Sequence, residues 1–292
     1  MIKIQVPATS ANLGTGYDCM GMAVNLFSEF TFTSSEKRLE ISGCAEEFKN
    51  SSNLVYRAFV RGCEYLQVPV PNLKIKIETE VPVSRGLGSS ASCIVGGLVA
   101  SFTWHQKPID KDIILKLACE MEGHPDNVSP AIFGGLCMSF IQNEQVELIK
   151  YPVSSDLHFL AIIPDFKVST EAARAILPKQ LSYADVTYQV SHALLLVDAL
   201  QTGSLQKLKL ALDDRMQEPY RKKLINNYDN IKKLCDKMNC DLYISGSGST
   251  LMGITDDITI QNELINEIKK LLPKWLLKPV SVDPDGFKIE VH

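Results

Sequence analysis

The chain has 292 residues, 45% of them hydrophobic and 22% charged, which is enough for one large or two smaller domains around a sizeable core. Its net charge is −4 and no lysine or arginine block stands out, which argues against nucleic acid as a partner. No apolar run of about 18 residues occurs, and the N-terminus lacks the apolar core of a signal peptide, so we expect no membrane contact and a cytoplasmic location. The eight cysteines are scattered with no C-x-x-C pair, and read as reduced core thiols rather than zinc ligands.

In chain order, Ile2 to Val6 alternates as a strand. Pro7 to Gly21 is rich in turn formers and reads as a long loop, with Asn12 and Asp18 as polar groups for a small ligand. Strand character resumes at Ala23–Phe27 and Phe30–Thr33. Asn53-Leu54 opens an amphipathic helix to about Leu66, with Leu54, Ala58, Phe59 and Cys63 on its apolar face. Leu73 to Val81 alternates as a half-buried strand and leads into Pro82-Val83-Ser84-Arg85-Gly86-Leu87-Gly88-Ser89-Ser90-Ala91-Ser92. A small, apolar helix follows to Trp104, and another runs from Pro108–Asp110 to Glu122. Gly123-His124-Pro125-Asp126-Asn127 reads as a break, before a strand from Leu136 to Ile141.

Pro152, Ser154 and Ser155 mark a linker, so we divide the chain at 1–154 and 155–292. The second half starts with a strand, Leu157–Ile163, and a capped helix start at Thr170–Arg174. Helices follow at Val186–Leu200, Leu205–Arg215 and Tyr228–Met238. The strand Asp241–Ile244 runs into a second glycine–serine loop, Ser245–Gly253, then come a strand, a helix at Ile258–Leu272 and strand character from Val280 to Val291.

Strand, glycine–serine loop, helix is an order that gathers free N–H groups and a positive helix end at one spot, a ready seat for phosphate. Gly86 and Gly88 permit a tight turn and close approach to an anion, and Ser89, Ser90 and Ser92 add hydroxyls. Taken alone, the stretch could equally be a capped turn; it is no Walker A loop, since Gly-Lys-Ser/Thr is missing. Two such loops in one chain suggest two backbones closing on one ligand. A carboxylate at Glu122, or at Glu120, could complete Mg²⁺ coordination beside the phosphates. Arg174 and Arg221 suit a substrate carboxylate, which a guanidinium binds bidentately.

Pro-x-x-x-Gly-Leu-Gly-Ser-Ser-Ala-Ser resembles the phosphate loop of the GHMP kinases. Pro7–Asp18 and Gly246–Thr250 match further segments of that pattern in the right order. Within it, Pro7–Asp18, Glu122–Val128, Thr170-x-x-Ala-Arg174 and Glu218-Pro219-Tyr220-Arg221 are similar to the homoserine kinase family. The Gly-Glu-His motif of galactokinases is absent. The resemblance implies an α+β fold, with an N-terminal domain like ribosomal protein S5 domain 2 and a ferredoxin-like C-terminal domain. It implies ATP-dependent phosphorylation of the homoserine hydroxyl, a step toward threonine.

By similarity, ATP lies along Pro82 to Ser92, with Mg²⁺ held by Ser90 and Glu122. Asn12, Asp18, His124, Asn127, Thr170, Arg174 and Arg221 hold homoserine, with Asp18 near its hydroxyl end and the arginines on its carboxylate. Asp18, Asp126, Asn127 and Arg174 are the catalytic candidates. The family generally lacks a dedicated base, so we expect none here: loose phosphoryl transfer depends on positioning and charge. Ser249 stands where the superfamily has Pro or Ala, with little expected consequence. We expect a homodimer. The rival readings are a mevalonate- or shikimate-type kinase, whose substrates also carry a carboxylate and a hydroxyl, and a catalytically silent sensor on the same fold.

Overall fold

The computed structural model describes residues 1–143 and 145–292. β1 (Ile2–Ala11) extends well beyond its alternating start. From Val6 onward every residue is buried, so the second half loses the polar–apolar signature, and Pro7 to Ala11, expected in a loop, pair with β2 (Met20–Ser34). A register shift between Pro7 and Ala8 lets the ladder accommodate the proline. β2 is one strand where two were expected. Its polar middle stays in the ladder because Ser28 Oγ meets Thr79 Oγ1 on the neighbouring strand at 2.7 Å.

A short β3 (Leu39–Ser42), not foreseen, precedes α1 (Leu54–Leu66), whose first turn is capped by Asn53 accepting from the Val55 N–H at 3.0 Å. β4 (Leu73–Thr79) buries Leu73, Ile75 and Ile77 and exposes Lys74, Lys76 and Glu78, as its alternation requires. α2 (Ser89–Trp104) is buried nearly all round. Its small residues admit α1: a Cβ on Gly97 would stand 2.2 Å from Val55 O.

α3 (Lys111–Glu122) ends at Gly123, φ +91°, and α4 (Pro125–Phe133) begins two residues later. The expected break therefore shrinks to Gly123 and His124. Pro125 sits at the first turn of a helix, where its missing N–H costs nothing, and Asp126 and Asn127 belong to that turn. β5 (Leu136–Gln142) and β6 (Gln145–Tyr151) pair antiparallel.

The second half runs β7 (His158–Ile163), α5 (Thr170–Ala175), α6 (Tyr183–Thr202), α7 (Leu205–Ala211), a single-turn α8 (Glu218–Arg221), α9 (Tyr228–Lys237), β8 (Asp241–Ile244), β9 (Leu251–Thr255), α10 (Ile258–Leu271), β10 (Leu276–Val280) and β11 (Lys288–Val291). Its sheet has the order β10-β7-β9-β8, all antiparallel. The first and third strands of this half, β7 and β9, lie in the middle, flanked by the fourth and the second, with helices after the first and third, which is the ferredoxin-like arrangement expected. The other sheet has the order β11-β1-β2-β4-β3, with β5 on β2 and β6 beyond it.

β11 thus crosses back to β1, so the last residues, assigned to 155–292, complete the first sheet. One core cluster also joins the halves: Ala8, Met22, Val24 and Leu26 pack with Phe159, Tyr243, Met252 and Leu200. Tyr151 and Val153 of the expected linker pack against that cluster. All eight cysteines are free thiols, and no helix among the described residues is long and apolar enough to cross a membrane.

Candidate active site

The two glycine–serine loops meet backbone to backbone. Gly86 has φ +77°, and a Cβ there would stand 2.1 Å from Ser245 O. Ser245 Oγ donates to Gly86 O at 2.6 Å, and the Thr250 N–H donates to Arg85 O at 3.0 Å. Gly88, φ +65°, is the N-cap of α2 and abuts Thr9, where a Cβ would fall 1.9 Å from Oγ1. At this helix end opens a cavity of about 440 Å³ walled by Ser84, Gly86, Gly88, Ser89 and Ser90 on one side. The first N–H groups of α2 have no intrahelical partner and carry the positive end of its dipole.

Beside them, Ser90 Oγ donates to Glu122 Oε2 at 2.6 Å. Burial pushes the Glu122 carboxyl above its usual range, against the pull of the Ser90 hydrogen bond, and no basic side chain pairs with it among the described residues. A half-buried carboxyl group and a hydroxyl with no basic side chain paired to them among the described residues are an oxygen donor set suited to Mg²⁺. Glu120 lies on the outer face of α3, 2.8 Å from Arg61 Nη2, and does not line the cavity.

The first turn of α4 forms the next wall. Asp126 is 2% exposed; its Oδ1 lies 2.5 Å from His124 Nδ1 and accepts from Asn127 Nδ2 at 3.2 Å. The hydrogen bond to Asp126 raises the His124 pKa, outweighing burial. Asn127 Oδ1 accepts from Thr9 Oγ1 at 2.8 Å, which ties α4 to β1.

The far wall joins the two halves of the chain. Arg174 grips Asp18 through both guanidinium nitrogens, Nη1 to Oδ2 at 2.8 Å and Nη2 to Oδ1 at 3.0 Å, and this bond holds its pKa up. Arg221 differs: it is 2% exposed and has no carboxylate partner among the described residues. Its Nε donates to Ala173 O at 3.1 Å, and its Nη1 to Gln217 Oε1 at 2.6 Å and to Gly246 O at 3.0 Å. Burial lowers its pKa, yet an arginine stays charged. The cavity therefore presents a phosphate seat and a cation corner at one end, and a paired acid and base with a spare buried cation at the other.

The chain matches the models for the GHMP kinases N terminal domain at residues 53–135 and the GHMP kinases C terminal domain at residues 196–274. It is 41% identical over 289 residues to a homoserine kinase of Clostridium botulinum, covering 98% of this chain and 97% of that one. The chain belongs to the homoserine kinase family of GHMP kinases. The crystal structure of homoserine kinase from Cytophaga hutchinsonii superposes with a TM-score of 0.89 at 28% identity, over 99% of this chain and 97% of that one. A putative homoserine kinase from Listeria monocytogenes shares the fold, with a TM-score of 0.85 at 20% identity over the whole of both chains.

In this GHMP kinase, Asn12, Asp18, Glu122, His124, Asp126, Asn127, Thr170, Arg174 and Arg221 all reach the one cavity. Asn12 does so as a brace, since Oδ1 accepts from the Asp18 N–H at 3.0 Å and Nδ2 donates to Gly246 O at 2.8 Å. The phosphate stretch divides. Pro82 and Val83 lie outside the cavity wall, and Leu87, Ala91 and Ser92 are in the core, with the Ser92 hydroxyl bonded to Pro7 O and Gly88 O. Arg85 reaches the other half, donating to Pro164 O and Asp165 O.

Two contributors stand outside the candidate residues. Tyr17 puts its hydroxyl 3.3 Å from Arg174 Nη1 and its ring 5.0 Å from the Arg221 guanidinium; its place next to Asp18 was the only clue. A second cavity of about 790 Å³, walled by Arg38, Asn50, Tyr56, Arg57 and Arg61, shares Met121 with the first.

Proposed function

We propose that this chain transfers the γ-phosphoryl group of ATP to the hydroxyl of L-homoserine. The observation that carries this is the far wall: a buried Arg221 with no carboxylate partner among the described residues, beside an Asp18–Arg174 pair. A zwitterionic amino acid suits both, its carboxylate meeting the arginines and its ammonium meeting Asp18, because the bond to Arg174 draws Asp18 to the α-carbon end and not to the hydroxyl end that the resemblance implies. Carboxylates without an ammonium, such as mevalonate or shikimate, would leave Asp18 uncompensated wherever they drew Arg174 away. The intact Gly86, Gly88, Ser90 and Glu122 constellation speaks for an enzyme over a silent sensor.

The phosphates of ATP would lie at Ser84, Gly86 and Gly88–Ser90, with the nucleoside extending past Met121 into the cavity walled by Tyr56 and Arg57. Ser90 and Glu122 would hold Mg²⁺, which when bound neutralises phosphate charge. Asp18 is engaged with Arg174, and Asp126 with His124 and Asn127, so neither carboxylate is free to act as a strong base. Catalysis would then rest on positioning and on charge from the α2 N-terminus. The reading includes a cytoplasmic homodimer, which sedimentation equilibrium tests for subunit number.

The decisive assay is ADP release from ATP–Mg²⁺ with L-homoserine, set beside mevalonate, shikimate and galactose. Turnover of about 1 s⁻¹ or more with homoserine alone is expected. ATP binding with no turnover on any of the four would refute the reading.

A further inference from the structure

Arg221 is held by three neutral groups, and only one of them is a side chain. Gln217 is fully buried and lies one turn before Arg221 at the entry of α8. Its amide has two fixed neighbours: Nε2 donates to Gly14 O at 2.9 Å, and Oε1 accepts from Arg221 Nη1 at 2.6 Å. Gly14 O can only accept and a guanidinium can only donate, so the amide orientation is determined. The Gln217 backbone is pinned as well, its N–H shared by both oxygens of Asp214 at 3.3 Å.

The geometry points to Gln217 as the positioning residue that aims Arg221 at the substrate carboxylate while leaving its charge uncompensated, and so sets a preference for α-amino acids over amino alcohols. This rests on the reading of Arg221 as a carboxylate receptor. Among side chains of this length, only glutamine meets both neighbours and stays neutral. A glutamate would turn an acceptor toward Gly14 O and would pair with Arg221 internally, so that an incoming carboxylate met a spent charge. A methionine would fill the space and leave the arginine charged but loose. Gln217 also links the loop from Asn12 to Asp18 with α8, because Gly14 belongs to that loop, so one residue registers the Asp18 side of the pocket against the Arg221 side.

The test compares Gln217→Glu, Gln217→Met and Arg221→Met in the full-length enzyme. L-Homoserine and 3-aminopropan-1-ol, the same molecule without its carboxylate, serve as substrates. Gln217→Glu is expected to raise KM for homoserine about 10- to 100-fold, the scale of a lost charge-assisted contact, with KM for ATP within about twofold. The kcat/KM ratio of homoserine to the amino alcohol should collapse to that of Arg221→Met. Gln217→Met should lower that ratio about 3- to 10-fold, and it carries the test alone if the glutamate variant does not fold.

A ratio unchanged in Gln217→Met, or equal effects of Glu and Met, overturns the inference. A ratio unchanged in Arg221→Met instead overturns the assignment of Arg221 itself. A merely structural role for Gln217 would lower the melting temperature without moving the ratio.

Discussion

The loops at Pro82–Gly88 and Ser245–Gly248 look alike in sequence, each a strand followed by glycines and serines, but they do different work. The first caps a 16-residue helix, the second enters the strand β9. A helix start leaves N–H groups without partners and a dipole behind them, whereas a strand satisfies its groups in the ladder. The polar groups of the second loop accordingly turn inward: Ser245 Oγ bonds Gly86 O, Ser249 Oγ bonds Phe166 O at 2.6 Å, and Ser245 Oγ also meets Ser10 Oγ at 2.8 Å. The second loop shapes the first, and only Gly246 and Ser247 reach the cavity. Whether a glycine-rich loop faces a ligand or props another loop that does is decided by the element it leads into, helix or strand.

Side-chain removal should separate the two loops most widely. Glu122→Gln, on the side of the first loop, is expected to lower kcat about 10²- to 10³-fold, the scale for losing one electrostatic contact to the reacting group. Ser247→Ala, on the second, should change kcat/KM by only about twofold, since among the described residues its hydroxyl reaches no partner closer than Gly248 O at 3.4 Å. Steady-state kinetics of both variants across a Mg²⁺ titration checks this. Equal losses would mean that both loops face the phosphates.

The glycines give the next largest contrast. Gly86→Ala adds a Cβ 2.1 Å from a backbone oxygen at a left-handed φ, and should destabilise by about 3 kcal/mol or more. Gly246→Ala brings a Cβ no closer than 3.3 Å, to Gly86 O, a contact that a shift of a few tenths of an ångström relieves, and otherwise bears the left-handed strain of about 1 kcal/mol. Urea unfolding of the two variants measures the gap.

Much of this was legible from the residues. The helix from Leu54 to Leu66 and the strand from Asp241 to Ile244 fall where their patterns place them, because each has one wet face or sharp punctuation. Pro7 to Ala11 misled because a strand buried on both faces loses its period of two. Pro125 misled because proline ends helices and starts them equally well. The candidate substrate and metal side chains follow from the motifs and line one cavity, while Pro82, Val83, Leu87, Ala91 and Ser92 of the glycine–serine stretch do not, and the pairings among the side chains were out of reach. Nothing local says that Arg174 meets Asp18, 156 positions away, or that Gln217 meets Gly14. Such contacts depend on the crossing of two sheets, which no window of sequence contains.

If the first loop and the α2 N-terminus supply the catalytic charge, a base beside them is superfluous. Asp126→Asn should then lower kcat by less than about 10-fold, with the loss coming from the disturbed His124 and Asn127 contacts. A fall of about 10²-fold or more at unchanged KM is the signature of general-base catalysis and would return that role to Asp126.

The smallest effect is a pH dependence on the same wall. The His124 imidazole, ordinarily near 6.5, is raised in the folded protein by Asp126, and its side chain is only 22% exposed. A raised folded value means that protonation favours folding. The pair's contribution is therefore complete below the unfolded value and fades as pH climbs through the folded one. Wild type should exceed His124→Gln in stability by about 1 kcal/mol at pH 5.5, and the difference should shrink steadily toward pH 8.5. Urea midpoints taken at half-unit intervals show the trend directly. A difference that grew with pH would mean that His124 is buried neutral and that Asp126 carries its negative charge alone beside the phosphate seat, an arrangement that would repel the ligand that the first loop is built to hold.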